Sequence, residues 1–356
     1  MARTLTQCVG VIILISTFLL IYYLSQNSQS SKYLTSSIKP LRNKMCDGLY
    51  LIAREMLDGS TVGLPFTRNV TRWKFYNEIN PNLSNKKFLI WNSERKMSSD
   101  VQDIINVYNN TRSKNIKVRK HFITFADKCC EKARLKAVMT ALYPGGFDKT
   151  TIHDMTSLTA GFKRNHSEIL TQTRGGGYWL WKPYIILKTL VENMVDGEVL
   201  MYQDAGAYII HDAGPLIKLC EHAKYGILLF YLTLLEQQYT KRDAFLLLDV
   251  DKDNVYQTFQ RLASFILFQK NCMSLQFVME WLAYASDPRL ITDMKNTLGK
   301  PNLPGFREHR HDQSILSLLS KKWGLMAYRT PSQYGNIFGY KAGPYNQIIV
   351  HNRNRN

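Results

Sequence analysis

The sequence predicts an α/β fold: a mainly parallel, Rossmann-type sheet flanked by helices and preceded by a single transmembrane helix. Three observations carry that prediction. Short apolar runs read as buried strands, helical stretches lie between them, and one long uncharged segment stands at the N-terminus. Strands that alternate with helices imply parallel pairing with both sheet faces covered. At 356 residues, 45% of them hydrophobic, the chain is long enough to bury such a core.

The first element is the apolar run over residues 9–24, VGVIILISTFLLIYYL, which follows a short polar head. With Cys8 and Ser25 it reaches about 18 residues, near the lower limit for a helix that crosses a bilayer. Tyr22 and Tyr23 fall where an interfacial aromatic belt would lie. The run is long for the apolar core of a signal peptide, and no small-residue cleavage site follows it, so it reads as an uncleaved signal anchor. Arg3 is outnumbered by Lys32, Lys39, Arg42 and Lys44 on the other side, which does not favour a cytoplasmic N-terminus. The glycosylation sequons at Asn69, Asn82, Asn109 and Asn165 all lie beyond the anchor and favour a lumenal body. The expected organisation is a cytoplasmic tail over 1–7, an anchor over 8–25, a stem and N-terminal extension over 26–117, a catalytic domain over 118–345, and a basic tail over 346–356 that frays from His351 onward.

Residues 26–45 are rich in Ser, Gln and Lys and read as a tether. Residues 46–117 are mixed, with an apolar piece at 87–91 and a helical one at 100–108. Between Lys32 and Lys120 there are 17 Lys and Arg against 7 Asp and Glu, a large share of the formal net charge of +18. That balance suits nucleotide diphosphates, acidic glycans or lipid head groups. No nucleic-acid-binding module accompanies it, so nucleic acid is not an expected partner. Beyond Cys8 the cysteines are Cys46, Cys129, Cys130, Cys220 and Cys272, an odd number that cannot all pair within one chain. The adjacent Cys129 and Cys130 lack the spacing of a zinc site.

The strongly patterned region starts near Val118. Residues 121–126 (HFITFA) read as a strand, followed by a helix over 128–142 that ends at Gly145 and Gly146. A short strand is expected near 151–153 and a helix over 157–171, and the chain then breaks at Gly175, Gly176 and Gly177. Pro183 opens the next helix, where its missing N–H is harmless. A strand over 198–203 stops at Asp204-Ala-Gly206. A helix over 215–223, a strand over 226–232, helices over 254–269 and 274–285, and a final helix over 312–322 complete the pattern. Ligands of such sheets collect at the carboxyl ends of the strands, here after Phe125 and after Gln203.

Four motifs offer chemistry. In RGGGYWLWKP the glycines permit close backbone approach to an anion, with Gly176 at the centre. Arg174 and Lys182 add charge there, and Trp179 and Trp181 add flat faces; a turn holding two core tryptophans is the structural alternative. In YQDAG, Asp204 ends a buried strand, where a carboxylate is costly unless it meets a cation or donors. Oxygen ligands of this kind suit Mg²⁺ or Mn²⁺, while an N-cap is the bland alternative. In FREHRHDQS, His309, Arg310 and His311 crowd a helix start capped by Asp312 or Ser314, an arrangement fit for phosphate or a metal. In QYTKRD, Lys241 and Arg242 are placed to reach a leaving phosphate or to lie on an exposed helix start. Asp249-Val-Asp251 is a literal Asp-x-Asp, ranked below Asp204 because its own run is structurally ambiguous.

Taken in order, FITFAD, RGGGYWLWKPYII, VLMYQDAG, QYTKRD, EWL and HRHDQSILSLL resemble a group of GT-A-type glycosyltransferases. Relatives of that group look like enzymes of bacterial surface-polysaccharide synthesis and like Golgi-type membrane proteins of eukaryotes. The likeness spans residues 118–335. It implies a GT-A-like sheet with a nucleotide-diphosphosugar donor on its first half and acceptor contacts later. Donor contacts implied or suggested by chemistry are Phe125, Asp127, Arg174, Gly176, Trp181, Lys182, Lys241 and Arg242. Asp204 takes the place of the metal-coordinating Asp-x-Asp, whose second acidic residue is replaced here by Gly206. His309 or His311 is the candidate to complete a Mn²⁺ or Mg²⁺ site, with Lys and Arg side chains as the alternative to an ion. Asp312 and Gln313 resemble a late Asp-Gln pair near the reacting sugar. Asp312, or else Glu280, is the candidate to orient the acceptor hydroxyl or act as general base.

The expectation is therefore a single-pass membrane enzyme of the Golgi lumen that moves a sugar from a nucleotide donor to an acceptor glycan or glycoprotein. A catalytically silent glycan-binding protein on the same scaffold is the competing class, supported by Gly206. A lumenal phosphotransferase is a third.

Overall fold

A computed structural model describes residues 44–59, 118–127, 131–338 and 345–352. The expected anchor, and the sequons at Asn69, Asn82 and Asn109, lie outside the described residues. No helix among the described residues is long and apolar enough to cross a membrane. All the described residues belong to one compact unit, which starts at Lys44.

The unit opens with helix α1 (Lys44–Leu57), then strand β1 (Lys120–Phe125), helix α2 (Glu131–Leu142) and strand β2 (Lys149–His153). Helix α3 (Trp181–Glu192) leads to β3 (Val199–Gln203) and the short β4 (Ala207–Ile209), then to helix α4 (Gly214–His222) and β5 (Ile227–Leu235). Helix α5 (Arg242–Leu247), strands β6 (Phe259–Arg261) and β7 (Phe265–Gln269), and helices α6 (Cys272–Ala285), α7 (Pro288–Ile291) and α8 (Asp312–Lys322) follow. Strands β8 (Ala327–Tyr328) and β9 (Ile349–His351) come last.

Seven strands form the main sheet in the order β2-β1-β3-β7-β5-β6, with β8 paired to β5. β1 pairs in parallel with β2 and β3, and β5 in parallel with β8. β7 is antiparallel to both β3 and β5, and β6 is antiparallel to β5. Strands β1, β2, β3, β5 and β8 therefore share one direction, and the sheet is mixed rather than wholly parallel. A separate ribbon joins β4 to β9.

Alternation along each strand builds two cores. Ile123, Leu200, Tyr202, Leu229, Ile266 and Phe268 face one side, where α1, α3, α6 and α8 cover them. Phe122, Val199, Met201, Leu228, Phe230 and Leu267 face the other, beneath α2, α4 and the β4–β9 ribbon. Helix α1 lies within the stretch expected as stem and extension, and it packs against α3 and α6. Leu49 and Ala53 are fully buried there, and the Tyr184 hydroxyl donates to Leu57 O at 3.0 Å.

Two expected helices are corrected. The stretch 254–269 holds only a helical turn at Asp253–Tyr256, after which the chain forms β6 and β7. A five-residue run such as Phe265-Ile-Leu-Phe-Gln carries no period that separates helix from strand. Its fate is set by the slot between β3 and β5, where it pairs along its whole length with β3 and through Leu267 and Phe268 with β5. The stretch 157–171 is broken into Ala160–Asn165 and Ser167–Leu170, because His166 leaves the helical backbone at φ −118°. The basic tail contributes β9 (Ile349–His351), which ends at the first residue expected to fray. Cys272 is disulfide-bonded, whereas Cys220 is a buried thiol whose ionisation burial pushes far up. Asn165 is exposed, and its side-chain nitrogen donates to Gly59 O.

Candidate functional site

Three charged residues stand at the ends of three elements. Lys182 is in the first turn of α3, Asp204 follows the last residue of β3, and Asp312 is the first residue of α8. The Lys182 ammonium lies 2.8 Å from Asp312 Oδ2 and 3.4 Å from Asp204 Oδ1, and it donates to Ala263 O at 3.2 Å. Lys182 and Asp312 are buried, while the Asp204 side chain keeps 30% of its exposure. The Tyr202 hydroxyl donates to Asp204 Oδ1 at 2.5 Å.

Burial works against charge on Lys182, but the Asp204 and Asp312 carboxylates outweigh it and hold the ammonium's pKa above the ordinary value. One ammonium cannot fully compensate two carboxylates. Burial accordingly pushes the Asp312 carboxyl up to about 6 against the pull of Lys182, with the Asp204 charge adding to the rise.

These groups open onto a cavity of about 440 Å³. Its walls come from the carboxyl end of β5 (Tyr231 to Leu234), the Leu262-Ala263-Ser264 corner before β7, the start of α8, and Arg329, Thr330 and His351. β7 runs against its neighbours, so its beginning lies at the carboxyl edge of the others. The cavity thus sits where open α/β sheets take ligands. Arg174, Arg310 and Arg329 line it alongside Lys182, with Glu308 as the remaining carboxylate.

The glycine-rich motif folds as a left-handed turn rather than a simple break. Gly175, Gly176, Gly177, Tyr178 and Trp179 all have positive φ, between 52° and 90°. Side chains disfavour this conformation, and glycine supplies three of the five positions. A Cβ on Gly177 would stand 2.8 Å from Leu170 Cα, so the backbone also needs the space. The turn delivers Trp179 to the cavity wall, where its ring stacks on His311 at 5.5 Å between centroids. It also fixes Trp181 in the core, stacked at 3.7 Å on Phe125 and donating through Nε1 to Gly175 O.

His311 holds an unusual backbone for a side-chain-bearing residue, φ 53° and ψ −121°. Its Nδ1 donates to Ile291 O at 2.8 Å, leaving Nε2 as an unprotonated, buried lone pair with no hydrogen-bond partner. Burial lowers its pKa to about 4, so the ring is neutral. His309 is different. Its Nε2 donates to Leu290 O at 2.6 Å and its Nδ1 accepts from Lys241 N at 3.3 Å.

The cavity therefore brings together Arg174, Lys182, Asp204, His311, Asp312 and Gln313 from the expected set. Gln313 is aimed by Gln260, which accepts from its Nε2 at 2.9 Å, and by Ala263 N, which donates to its Oε1. The other expected residues do not line it. Phe125 and Trp181 are a core stack, and Asp127 and Gly176 lie outside the wall. Lys241 is buried and donates to Thr292 O and Met294 O, closing the end of α7. Arg242 pairs with Asp251 and lies over Tyr256. Glu280 accepts from Trp323 Nε1 at 2.6 Å inside the core. Asp251 of the literal Asp-x-Asp is occupied by Arg242, Lys300 and Tyr256.

The ligand set expected for Mn²⁺ or Mg²⁺ does not assemble. Both ring nitrogens of His309 are spent on backbone, and Asp204 faces an ammonium. No group of three His, Cys, Asp or Glu residues suited to a metal is present among the described residues. The cavity also holds Arg329, Ser264 and His351, which no motif singled out. Arg310 was visible in the histidine-rich motif, whereas His351 reaches the cavity only through the pairing of β9 with β4.

No family model matches the chain, and no curated protein matches it. Among solved structures it is similar to the WbbM bifunctional glycosyltransferase in its apo form, at a TM-score of 0.38 and 11% identity over 68% of this chain. That match spans 47% of the WbbM chain. It is also similar to mouse xyloside xylosyltransferase 1 in its apo form, at a TM-score of 0.39 and 12% identity over 66% of this chain and 98% of that one.

Proposed function

We propose that this chain is a GT-A-type glycosyltransferase that moves a sugar from a nucleotide-diphosphosugar to an acceptor glycan or glycoprotein. The observation that carries the reading is the Lys182 ammonium shared by Asp204 and Asp312 inside a cavity also lined by Arg174, Arg310, Arg329 and Trp179. Cations grouped at the carboxyl edge suit a leaving nucleoside diphosphate, and a half-buried indole suits a sugar or base face. In the transfer, the bond between the anomeric carbon and the diphosphate oxygen breaks, and its electron pair leaves with the diphosphate. The acceptor oxygen bonds to the anomeric carbon and its proton passes to the Asp312 carboxylate. A carboxyl raised to about 6 is a stronger base than an ordinary one.

The setting we propose is the Golgi lumen, with the protein held by an N-terminal signal anchor. The apolar run over 9–24, the four sequons and the disulfide at Cys272 support an oxidising, lumenal setting. The test is a thermal-shift screen of nucleotide-sugars followed by donor hydrolysis assays on wild type and Asp312→Asn. A raised midpoint with one donor class, and hydrolysis lost in the variant, are the expected results. Failure of every nucleotide to shift the midpoint overturns the reading.

A further inference from the structure

The oxygen cage at the tip of β3 is already filled. Asp204 Oδ1 and Asp312 Oδ2 form ion pairs with Lys182 Nζ at 3.4 and 2.8 Å, and Ala263 O accepts a hydrogen bond from it at 3.2 Å. The ammonium is buried between the two carboxylates. Asp204 Oδ1 also takes the Tyr202 hydroxyl. A magnesium ion bridging Asp204 Oδ1 and Asp312 Oδ2, the two oxygens that face the ammonium, would stand about 2.1 Å from each. That places it in the space of the ammonium, as a second cation against the first. The remaining nitrogen donors do not help. His309 has no lone pair to give, and the Nε2 of His311 lies 3.8 Å from Asp293 Oδ1.

We propose that Lys182 is the resident cation of this site and that the chain binds its donor diphosphate without a divalent ion. On the cavity wall Arg174 and Arg310 share Glu308, Arg174 also pairs with Asp293, and the guanidinium of Arg329 adds further positive charge. The inference rests on the reading of the cavity as a nucleotide-sugar site, but it concerns which cation meets the diphosphate, a separate question. Lys182 delivers that cation from the first turn of α3, positioned by the same turn that carries Trp179. A lysine fixed in this way acts as a point charge with no coordination geometry to satisfy.

The test combines Mn²⁺ titration, followed by electron paramagnetic resonance, with thermal shift by uridine diphosphate and guanosine diphosphate. Wild-type protein is expected to leave the Mn²⁺ signal unbound. Its diphosphate affinity should be the same in excess EDTA as in Mn²⁺, within about twofold. Lys182→Met should lose about tenfold to a hundredfold in diphosphate affinity, the scale of a charge-assisted hydrogen bond. Lys182→Ala, which vacates the space between the carboxylates, should gain a Mn²⁺ site that disappears when Asp204→Asn is added. Mn²⁺ binding to wild type that Asp204→Asn abolishes overturns the proposal, as does diphosphate binding that EDTA removes and Mn²⁺ restores. Both of these are read on wild-type or Asp204→Asn protein, so they stand even if the lysine variants fold poorly. If neither nucleotide binds under any condition, the functional reading falls and the diphosphate role of Lys182 falls with it. The Mn²⁺ titration still reports separately whether the carboxylate pair accepts a metal.

Discussion

Lys182 Nζ lies 2.8 Å from Asp312 Oδ2, which ties the first turn of α3 to the first turn of α8 through a buried ion pair. Its two ends are not energetically equivalent. Removing the lysine strands the buried Asp312 carboxylate beside the partly exposed Asp204, whereas removing the Asp312 charge leaves the ammonium with Asp204. Lys182→Met should therefore destabilise the fold by about 3–5 kcal/mol, the cost of an uncompensated buried charge. Asp312→Asn should cost about 1–2 kcal/mol. Urea unfolding of both variants measures the difference, and an inverted order would show that Asp204 does not share the lysine.

The left-handed turn makes a second prediction, because two glycines of nearly equal φ differ in surroundings. Gly177 has φ +90° and would drive a Cβ to 2.8 Å from Leu170 Cα, while Gly197 has φ +92° with nothing within 4 Å. Gly197→Ala should cost about 1–2 kcal/mol from backbone conformation alone. Gly177→Ala should cost about 3 kcal/mol or more, since backbone must also shift. It should lower nucleotide affinity too, because Arg174 and Trp179 flank the displaced turn. Equal midpoints for the two variants in thermal melts would contradict the turn geometry.

The pH dependence of stability follows from buried imidazoles. Burial lowers the pKa of His153 and of His166 to about 4, against an ordinary 6.5. Between those values the unfolded chain takes up protons that the folded chain refuses, so stability is complete above about 6.5 and falls as pH drops toward about 4. Asp312 works the other way: its carboxyl, raised to about 6 by burial, favours the folded state as pH falls through that value. Each unit of difference amounts to about 1.4 kcal/mol, so the two imidazoles outweigh the one carboxyl. The melting temperature should drop steadily from pH 7 to pH 4.5, and the drop should shrink in His166→Phe. A melting temperature that rises over this range would show these histidines to be protonated in the fold.

Removing the residues from Gln347 onward should unsettle the sheet and the cavity together. β9 pairs with β4, Ile348 and Ile349 are buried in the second core, and His351 lines the cavity. The expected result is a loss of about 3 kcal/mol or more, with weaker nucleotide binding. Preserved stability in guanidinium titration would mean that β4 needs no partner.

Much of this arrangement was legible in the residues. Strands β1, β3 and β5 and helices α3, α6 and α8 follow from apolar runs punctuated by Gly, Pro and Asp. Asp204 and Asp312 stood out because a carboxylate at the end of an apolar element needs a partner. That partner, Lys182, was visible only as one cation among several. Lys241 and Arg242 looked equally suited to phosphate, but their charges are spent on Thr292 O, Met294 O and Asp251, contacts that depend on distant loops. β7 escaped for the same reason. Five apolar residues become a strand because a slot between two others awaits them, and no local pattern records that slot. The left-handed backbone at Tyr178 and Trp179 lies equally beyond periodicity.

Helix α1 sets where this molecule can be cut. A shortened polypeptide beginning at Val118 would retain every cavity-lining side chain, yet it would lack the partner that covers parts of α3 and α6. The phenol of Tyr184 would lose its acceptor at Leu57, and greasy surface normally sealed by Leu49, Ala53 and Met56 would meet water. Such a fragment should precipitate or capture chaperones, whereas one starting ahead of Lys44 should stay in solution.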